Sequence, residues 1–155
     1  MSSLRNGGAE RSLVNLLQLL DYNRYNVDLL LFQNEGMFLK QVPKAVNIIS
    51  NCNKLYTLYD NNKAEALKHP YLSAVHMIGT FISRKKTNSV AKSRQYRWEH
   101  FYKKIVPELT KEYDVAIAYM QREQTYFLVD KVKAAKKITW VHNEYSQLGH
   151  FKEMD

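Results

Sequence analysis

Apolar residues recur along this chain at spacings that alternate between helix and strand. Leu13, Leu16, Leu17 and Leu20 share one face of a helix running from about Ala9 to Asp21. Each such leucine stabilises by roughly 1.5–3 kcal/mol when fully buried, so this face predicts seating against a sheet. The polar stretch from Asp21 to Asn26 turns the chain. Val27-Asp28-Leu29-Leu30-Leu31-Phe32 is apolar almost throughout, as parallel strands covered on both faces are. Glu35-Gly36 breaks that run and Pro43 caps a short extended piece. Ala45 to Ile49 then predicts another strand, and Lys54 to Tyr59 an irregular stretch or a short strand.

From Ala64 to Pro107 the pattern turns helical. Tyr71, Leu72, Val75, Ile78, Gly79 and Ile82 form one apolar stripe. The basic Arg84-Lys85-Lys86 is expected to break it, and Val90, Ala91, Trp98, Phe101, Tyr102 and Ile105 form a second. Pro107 lies where that helix ends. Strand character returns at Val115 to Tyr119, helix at Thr125 to Val132 and strand at Ile138 to Val141. Alternation of this kind predicts an α/β fold with a parallel sheet and helices on both faces.

Composition narrows the picture. The 155 residues suffice for one domain, with 45% apolar and 25% charged residues, as expected of a globular protein. No apolar run approaches the ~20 residues that span a bilayer. Cys52 stands alone, which excludes an intrachain disulfide framework and agrees with a reducing, cytoplasmic compartment. His69, His76, His100 and His150 show no ligand spacing, so structural or exposed roles are expected and no metal site is.

Charge adds more. Twenty-three Lys and Arg against fifteen Asp and Glu leave +8. The excess crowds into Arg84, Lys85, Lys86, Lys92, Arg94, Arg97, Lys103 and Lys104, with Lys131, Lys133, Lys136 and Lys137 beyond. Such a patch is either a solvated face or a surface that draws phosphates, anionic lipid or nucleic acid. Trp98, Phe101 and Tyr102 share the segment. Their two readings are core packing, which is preferred, and an amphipathic helix lying on a membrane.

The candidate chemistry begins at Asn6-Gly7-Gly8-Ala9-Glu10-Arg11, directly before the leucine-striped helix. Glycines here let a ligand approach the backbone, and the first N–H groups of the helix lack internal partners. Loop and helix dipole together suit an anion such as a phosphate. Glu10 and Arg11 serve equally to cap and charge-balance the helix start. The second position is His142, at the end of an apolar strand, on the edge where open α/β sheets bind ligands. A strand-end histidine bonded to backbone is the plainer reading of that residue.

The stretch Ser2 to Leu13, with its Gly-Gly-Ala-Glu-Arg loop, resembles the opening loop and first helix of group 1 (family 4) glycosyltransferases of the GT-B fold. Asp114 to Tyr119 looks like that family's mid-domain strand, and Lys137 to Tyr145 like its strand ending in Trp-x-His. The likeness runs from Ser2 to about Tyr145, with sharp motifs only at the two ends.

The resemblance implies a Rossmann-like GT-B N-terminal domain, on the acceptor side of a retaining glycosyltransferase of bacterial polysaccharide or cell-envelope synthesis. It implies a nucleotide-sugar donor, a glycan or lipid-linked acceptor and no cofactor. In it the Gly7-Gly8 backbone approaches donor phosphate or acceptor, and His142 contacts the donor sugar near the reacting centre as the catalytic residue. Asn143 and Glu144 follow as binding residues, with Glu144 a conceivable general base.

Two parts of the family's pattern are missing. An apolar first strand should precede Ser2, and its loss is expected to leave exposed sheet edges through which copies of the chain pair. The donor-binding C-terminal domain, with its Glu-x7-Glu motif, is absent as well. The chain is accordingly expected to be a domain fragment, inactive alone, placed in the cytoplasm or at the inner membrane face through Arg84 to Lys104. The alternatives are an acceptor-binding subunit of a split glycosyltransferase and a basic nucleic-acid-binding module. No nucleic-acid motif appears, so no nucleic-acid partner is expected.

Overall fold

A computed structural model describes residues 1–49, 57–58 and 67–142. The chain is mixed α/β with short parallel strands, and it divides into two compact units, Met1–Asn53 and Lys54–Asp155. Among the described residues the strands form two separate two-stranded parallel sheets, one in each unit.

In the first unit, helix α1 spans Gly8–Leu19 and buries Leu13, Val14 and Leu17. The expected leucine face is therefore turned slightly: Val14 points inward, while Leu16 and Leu20 are half-buried. Strands β1 (Asp28–Leu30) and β2 (Asn47–Ile49) run parallel, with Leu29 opposite Ile48. Asn47 Nδ2 donates to Asp28 Oδ1 at 2.9 Å and fastens the start of the pair. Met1, Leu4, Leu29, Leu31, Phe32, Phe38 and Val46 are the other buried apolar residues described in this unit.

Met1 to Arg5 form no regular strand, yet these first residues lie in parallel beside the run that follows β1. The Met1 ammonium donates to the Leu30 carbonyl at 3.0 Å, and Phe32 N–H donates to the Met1 carbonyl at 3.1 Å. That pair of bonds brackets Leu31 in the manner of a parallel bridge. Gln33 N–H reaches the Ser2 carbonyl and Leu4 N–H the Glu35 carbonyl, so the segment stays paired up to the glycine loop.

The second unit opens with α2 (Pro70–Lys86), started by proline in the first turn, where its missing N–H costs nothing. The helix continues through Arg84-Lys85-Lys86, and the break falls at Thr87–Ser89 instead. Lysine and arginine are good helix formers that favour a helix C-terminus, so basic residues end the helix rather than interrupt it. Ser89 caps α3 (Val90–Arg97) by accepting from Lys92 N–H at 3.1 Å. A π-helical turn, Trp98–Tyr102, and a short turn, Lys103–Ile105, carry the chain to Pro107. Trp98 and Tyr102 are buried, as core packing of these aromatics requires.

Strand β3 (Glu112–Ala118), helix α4 (Glu123–Lys131) and strand β4 (Lys133–Thr139) then form a parallel strand–helix–strand unit. Strand β4 starts well before the apolar Ile138. Its lysines lie on exposed positions, and Lys133 stands opposite Glu112. Among the described residues no helix is long and apolar enough to cross a membrane.

Asp130 ties α4 to the preceding helices. Trp98 Nε1 donates to Oδ2 and Lys103 Nζ to Oδ1, both at 2.6 Å. Burial pushes this carboxyl up, but those hydrogen bonds and the Lys103 and Lys131 charges hold it below its ordinary value. His76 forms a second tie, its Nδ1 lying 2.6 Å from the Leu58 carbonyl and 3.1 Å from the Tyr102 hydroxyl. A carbonyl only accepts, so Nδ1 carries the proton of the neutral ring. Burial chiefly lowers the His76 pKa from 6.5; the Leu58 bond opposes this and the Arg97 charge adds to it.

The consequence is a pH-dependent stability. Below about pH 6.5 the unfolded chain takes up a proton that folded His76 still refuses, so stability falls with falling pH. Urea midpoints measured across this range should drop toward acid, and His76→Gln should flatten that part of the profile. An unchanged slope in the variant would assign the acid loss to other groups.

Candidate functional site

Gly7 and Gly8 belong to the first unit, and each meets α1 differently. Gly7 is the N-cap, extended at φ −147° and ψ 159°, with no side chain to cap the helix. Its carbonyl accepts from Arg11 N–H at 3.1 Å. A Cβ placed on Gly7 would collide with the Glu10 carboxylate, so this acid leans over the start of its own helix. A negative group is favoured at that positive end, and an incoming anion would have to share it with Glu10 or displace it. Around Gly8 the space is open: beyond its neighbours and its own helix backbone, an added Cβ meets no atom of the described residues within 4 Å. The approach to the helix start is therefore from the Gly8 side.

The loop is held from beneath by residues outside the motif. Arg5 Nε donates to Glu35 Oε1 at 2.6 Å and Arg5 Nη2 to Gln33 Oε1 at 3.1 Å. Phe38 N–H donates to the Leu4 carbonyl at 3.1 Å. Gly36, at φ +126°, lies so close that a Cβ would strike the backbone of Leu4 and Arg5. The sequence marked Gly36 only as a strand breaker; its neighbours come from a remote stretch of chain that no local pattern reveals.

His142 belongs to the second unit, just past the carboxyl end of β4. The ladder continues from β4 through Trp140 N–H to the Ala118 carbonyl at 2.8 Å. Next to it His142 Nε2 lies 2.9 Å from the Tyr119 carbonyl. The backbone bond of the plainer reading is thus present, and it sets the tautomer: Nε2 carries the proton and Nδ1 is the acceptor of the neutral ring. Tyr119 and Trp140 enclose the imidazole, with ring centroids 4.8 Å and 6.3 Å away. Trp140 lies nearly parallel to it, at 9°, and remains 44% exposed. Asn143 and Glu144 lie outside the described residues.

The loop between β3 and α4 shares this end of the sheet. Arg122 is the non-glycine residue with positive φ, at 74°, among those described. Such strained backbone gathers at ligand sites. Gln121 and Thr125 are buried, and their Oε1 and Oγ1 have no hydrogen-bond partner among the described residues. Sequence reasoning missed Gln121, Arg122 and Trp140 as site residues. The place of Tyr119 at a strand end was the signal available, since the following loop must then lie at the same edge.

A second feature was also missed. Tyr71, Met77, Ile78 and Phe81 of α2 are exposed, Met77 by 70% and Phe81 by 61%, opposite buried Leu72, Gly79 and Ser83. Lys85 Nζ sits 4.4 Å above the Phe81 ring. The sequence placed Tyr71 and Ile78 in the inward stripe. A helix apolar on more than one side was the available sign that a second face needs a partner.

Among the described residues no group of three or more His, Cys, Asp or Glu is placed to hold a metal ion. No protein-family model matches the chain, and comparison with curated proteins and with solved structures found no match.

Proposed function

We propose that this chain is the N-terminal, acceptor-side Rossmann-like domain of a retaining GT-B glycosyltransferase, acting on a glycan or lipid-linked acceptor. The observation that carries the reading is the start of the first unit. An extended segment paired in parallel with Leu30–Glu35 leads through Gly7-Gly8 directly into α1, whose first turn is open at Gly8. Strand, glycine loop and helix in that order form an anion cradle, as a donor phosphate or a diphosphate-linked acceptor needs.

The second unit supports the same reading. His142 lies beyond the carboxyl end of β4, where open α/β sheets bind ligands, next to an exposed Trp140. A neutral imidazole fixed through Nε2 presents one acceptor nitrogen to a sugar hydroxyl, and the indole face offers a stacking surface. The sugar would come from a nucleotide-sugar donor held by a second domain, with developing charge stabilised by positioned groups.

The outer face of α2 adds a membrane to this reading. Four exposed apolar side chains followed by Arg84-Lys85-Lys86 combine an insertable face with a basic end, the chemistry that seats a helix on anionic lipid. In this reading the basic stretch would meet lipid through an apolar face that lies on α2 and not on buried Trp98 and Tyr102.

The test is calorimetric titration of the chain with a short polyprenyl diphosphate sugar in micelles, beside Gly8→Ala. The variant should keep its thermal midpoint, because a methyl there meets nothing, while its affinity falls about ten-fold. The chain alone should transfer no sugar. Undiminished binding by Gly8→Ala, or efficient transfer by the unaided chain, would overturn the proposal.

A further inference from the structure

The cleft between α2 and α3 in the second unit has a chemistry that neither the glycine loop nor His142 explains. It has a volume of about 460 Å³ and is walled by Arg84, Arg94 and Arg97, the Glu123 carboxylate and the hydroxyls of Thr80, Ser89 and Ser93. That volume falls in the range of small-molecule sites.

Its charges are unequally answered. Arg94 Nη1 pairs with Glu123 Oε1 at 2.8 Å, which neutralises one arginine. Among the described residues Arg84 and Arg97 have no carboxylate within ion-pair distance. Arg97 is instead held by hydroxyls: its Nη1 donates to Ser93 Oγ at 3.1 Å and to Ser83 Oγ at 3.3 Å. Those two serines are buried and joined to each other at 2.7 Å, so the guanidinium is aimed by a rigid support. Arg97 Nε and Thr80 Oγ1 are buried in the cleft wall without a hydrogen-bond partner among the described residues.

Two uncompensated arginines, one of them fixed by core hydroxyls, make a local positive field that a dianion would satisfy. The start of α3, an eight-residue helix, opens on the same cleft at Ser89 and Val90 and adds the positive end of its dipole. An arginine fork matches phosphate oxygens in geometry as well as in charge. Carboxylates fit less well, since a single negative charge leaves one arginine unanswered.

We propose that this cleft is a binding site for a phosphate dianion carried by a small polar molecule or a lipid headgroup, with Arg84 and Arg97 as its principal cationic contacts. The site shares Arg84 with the basic end of α2 but does not rest on the glycosyltransferase reading, and it survives if that reading fails.

Calorimetric titration of the full chain with inorganic pyrophosphate at low salt tests it. Saturable binding is expected, weakened about ten-fold by Arg84→Gln and also weakened by Arg97→Lys, which keeps the charge but loses the fork. Arg84 is exposed, so its variant should fold as the parent does. Lys136→Gln removes one exposed charge elsewhere and should leave affinity unchanged. Phosphatidic-acid vesicles, with phosphatidylcholine vesicles as control, separate the two sources. Binding to them that pyrophosphate displaces assigns a lipid headgroup, whereas vesicle binding that pyrophosphate leaves intact belongs to the outer face of α2 and, with pyrophosphate bound, assigns a soluble ligand. No saturable binding of either probe, or an equal loss in Lys136→Gln and Arg84→Gln, would overturn the site.

Discussion

Gly36→Ala is expected to destabilise the first unit by about 2–4 kcal/mol, large against a domain's whole stability. Two costs add. At φ +126° a side chain is strained whatever surrounds it, by roughly 1–3 kcal/mol. The new Cβ also meets the backbone of Leu4 and Arg5, which no rotamer change relieves. Moving that backbone breaks the bonds Leu4 makes to Glu35 and Phe38, which hold the Gly7-Gly8 loop in place. Urea unfolding of the full chain should therefore show a markedly lower midpoint for the transition of this unit. Gly8→Ala supplies the contrast, since alanine in a helix with open space around it should be neutral or slightly stabilising. A Gly36→Ala protein as stable as its parent would mean that the 33–38 loop does not press on Leu4 as described.

Trp98→Ala should weaken the second unit by about 3–5 kcal/mol. The indole is 1% exposed and packs at a tilt on Tyr126, with centroids 6.1 Å apart, so its removal leaves a large cavity. It also takes from Asp130 the donor that helps to hold that carboxyl ionised, leaving Lys103 as the remaining hydrogen-bond partner shown. Trp98→Phe separates these effects. It keeps most of the packing, and its cost of roughly 1–2 kcal/mol reports the lost hydrogen bond. Denaturation of both variants, followed by far-ultraviolet circular dichroism, gives the two numbers. If Trp98→Ala costs less than about 1 kcal/mol, the π-helical turn repacks easily and Asp130 is not the tie proposed for it.

Much of the fold was readable in one dimension. Helix α1, strands β1, β2 and β3, and the breaks at Asn26 and Pro107 follow from spacings of a few residues. The glycine loop before α1 and the histidine after β4 were equally visible, because a motif is a contiguous string. Strand β4 shows where such reading fails. Lys133, Lys136 and Lys137 argue against a strand, yet backbone pairing with β3 is indifferent to side-chain polarity when those positions face solvent.

Spacing alone specified the order of elements and the two end motifs, since hydrophobic period and backbone preference are properties of neighbouring residues. Which aromatic residues turn inward was decided by tertiary packing. Trp98 and Tyr102 are covered because α4 and His76 supply partners, whereas Met77 and Phe81 lie on a side of α2 left exposed among the described residues. The same holds for Gly36 beneath Leu4 and for the convergence of Arg84, Arg94 and Arg97 on one cleft. Those relations join residues from separate elements, and a relation between elements exists only once folding has brought their surfaces within contact range.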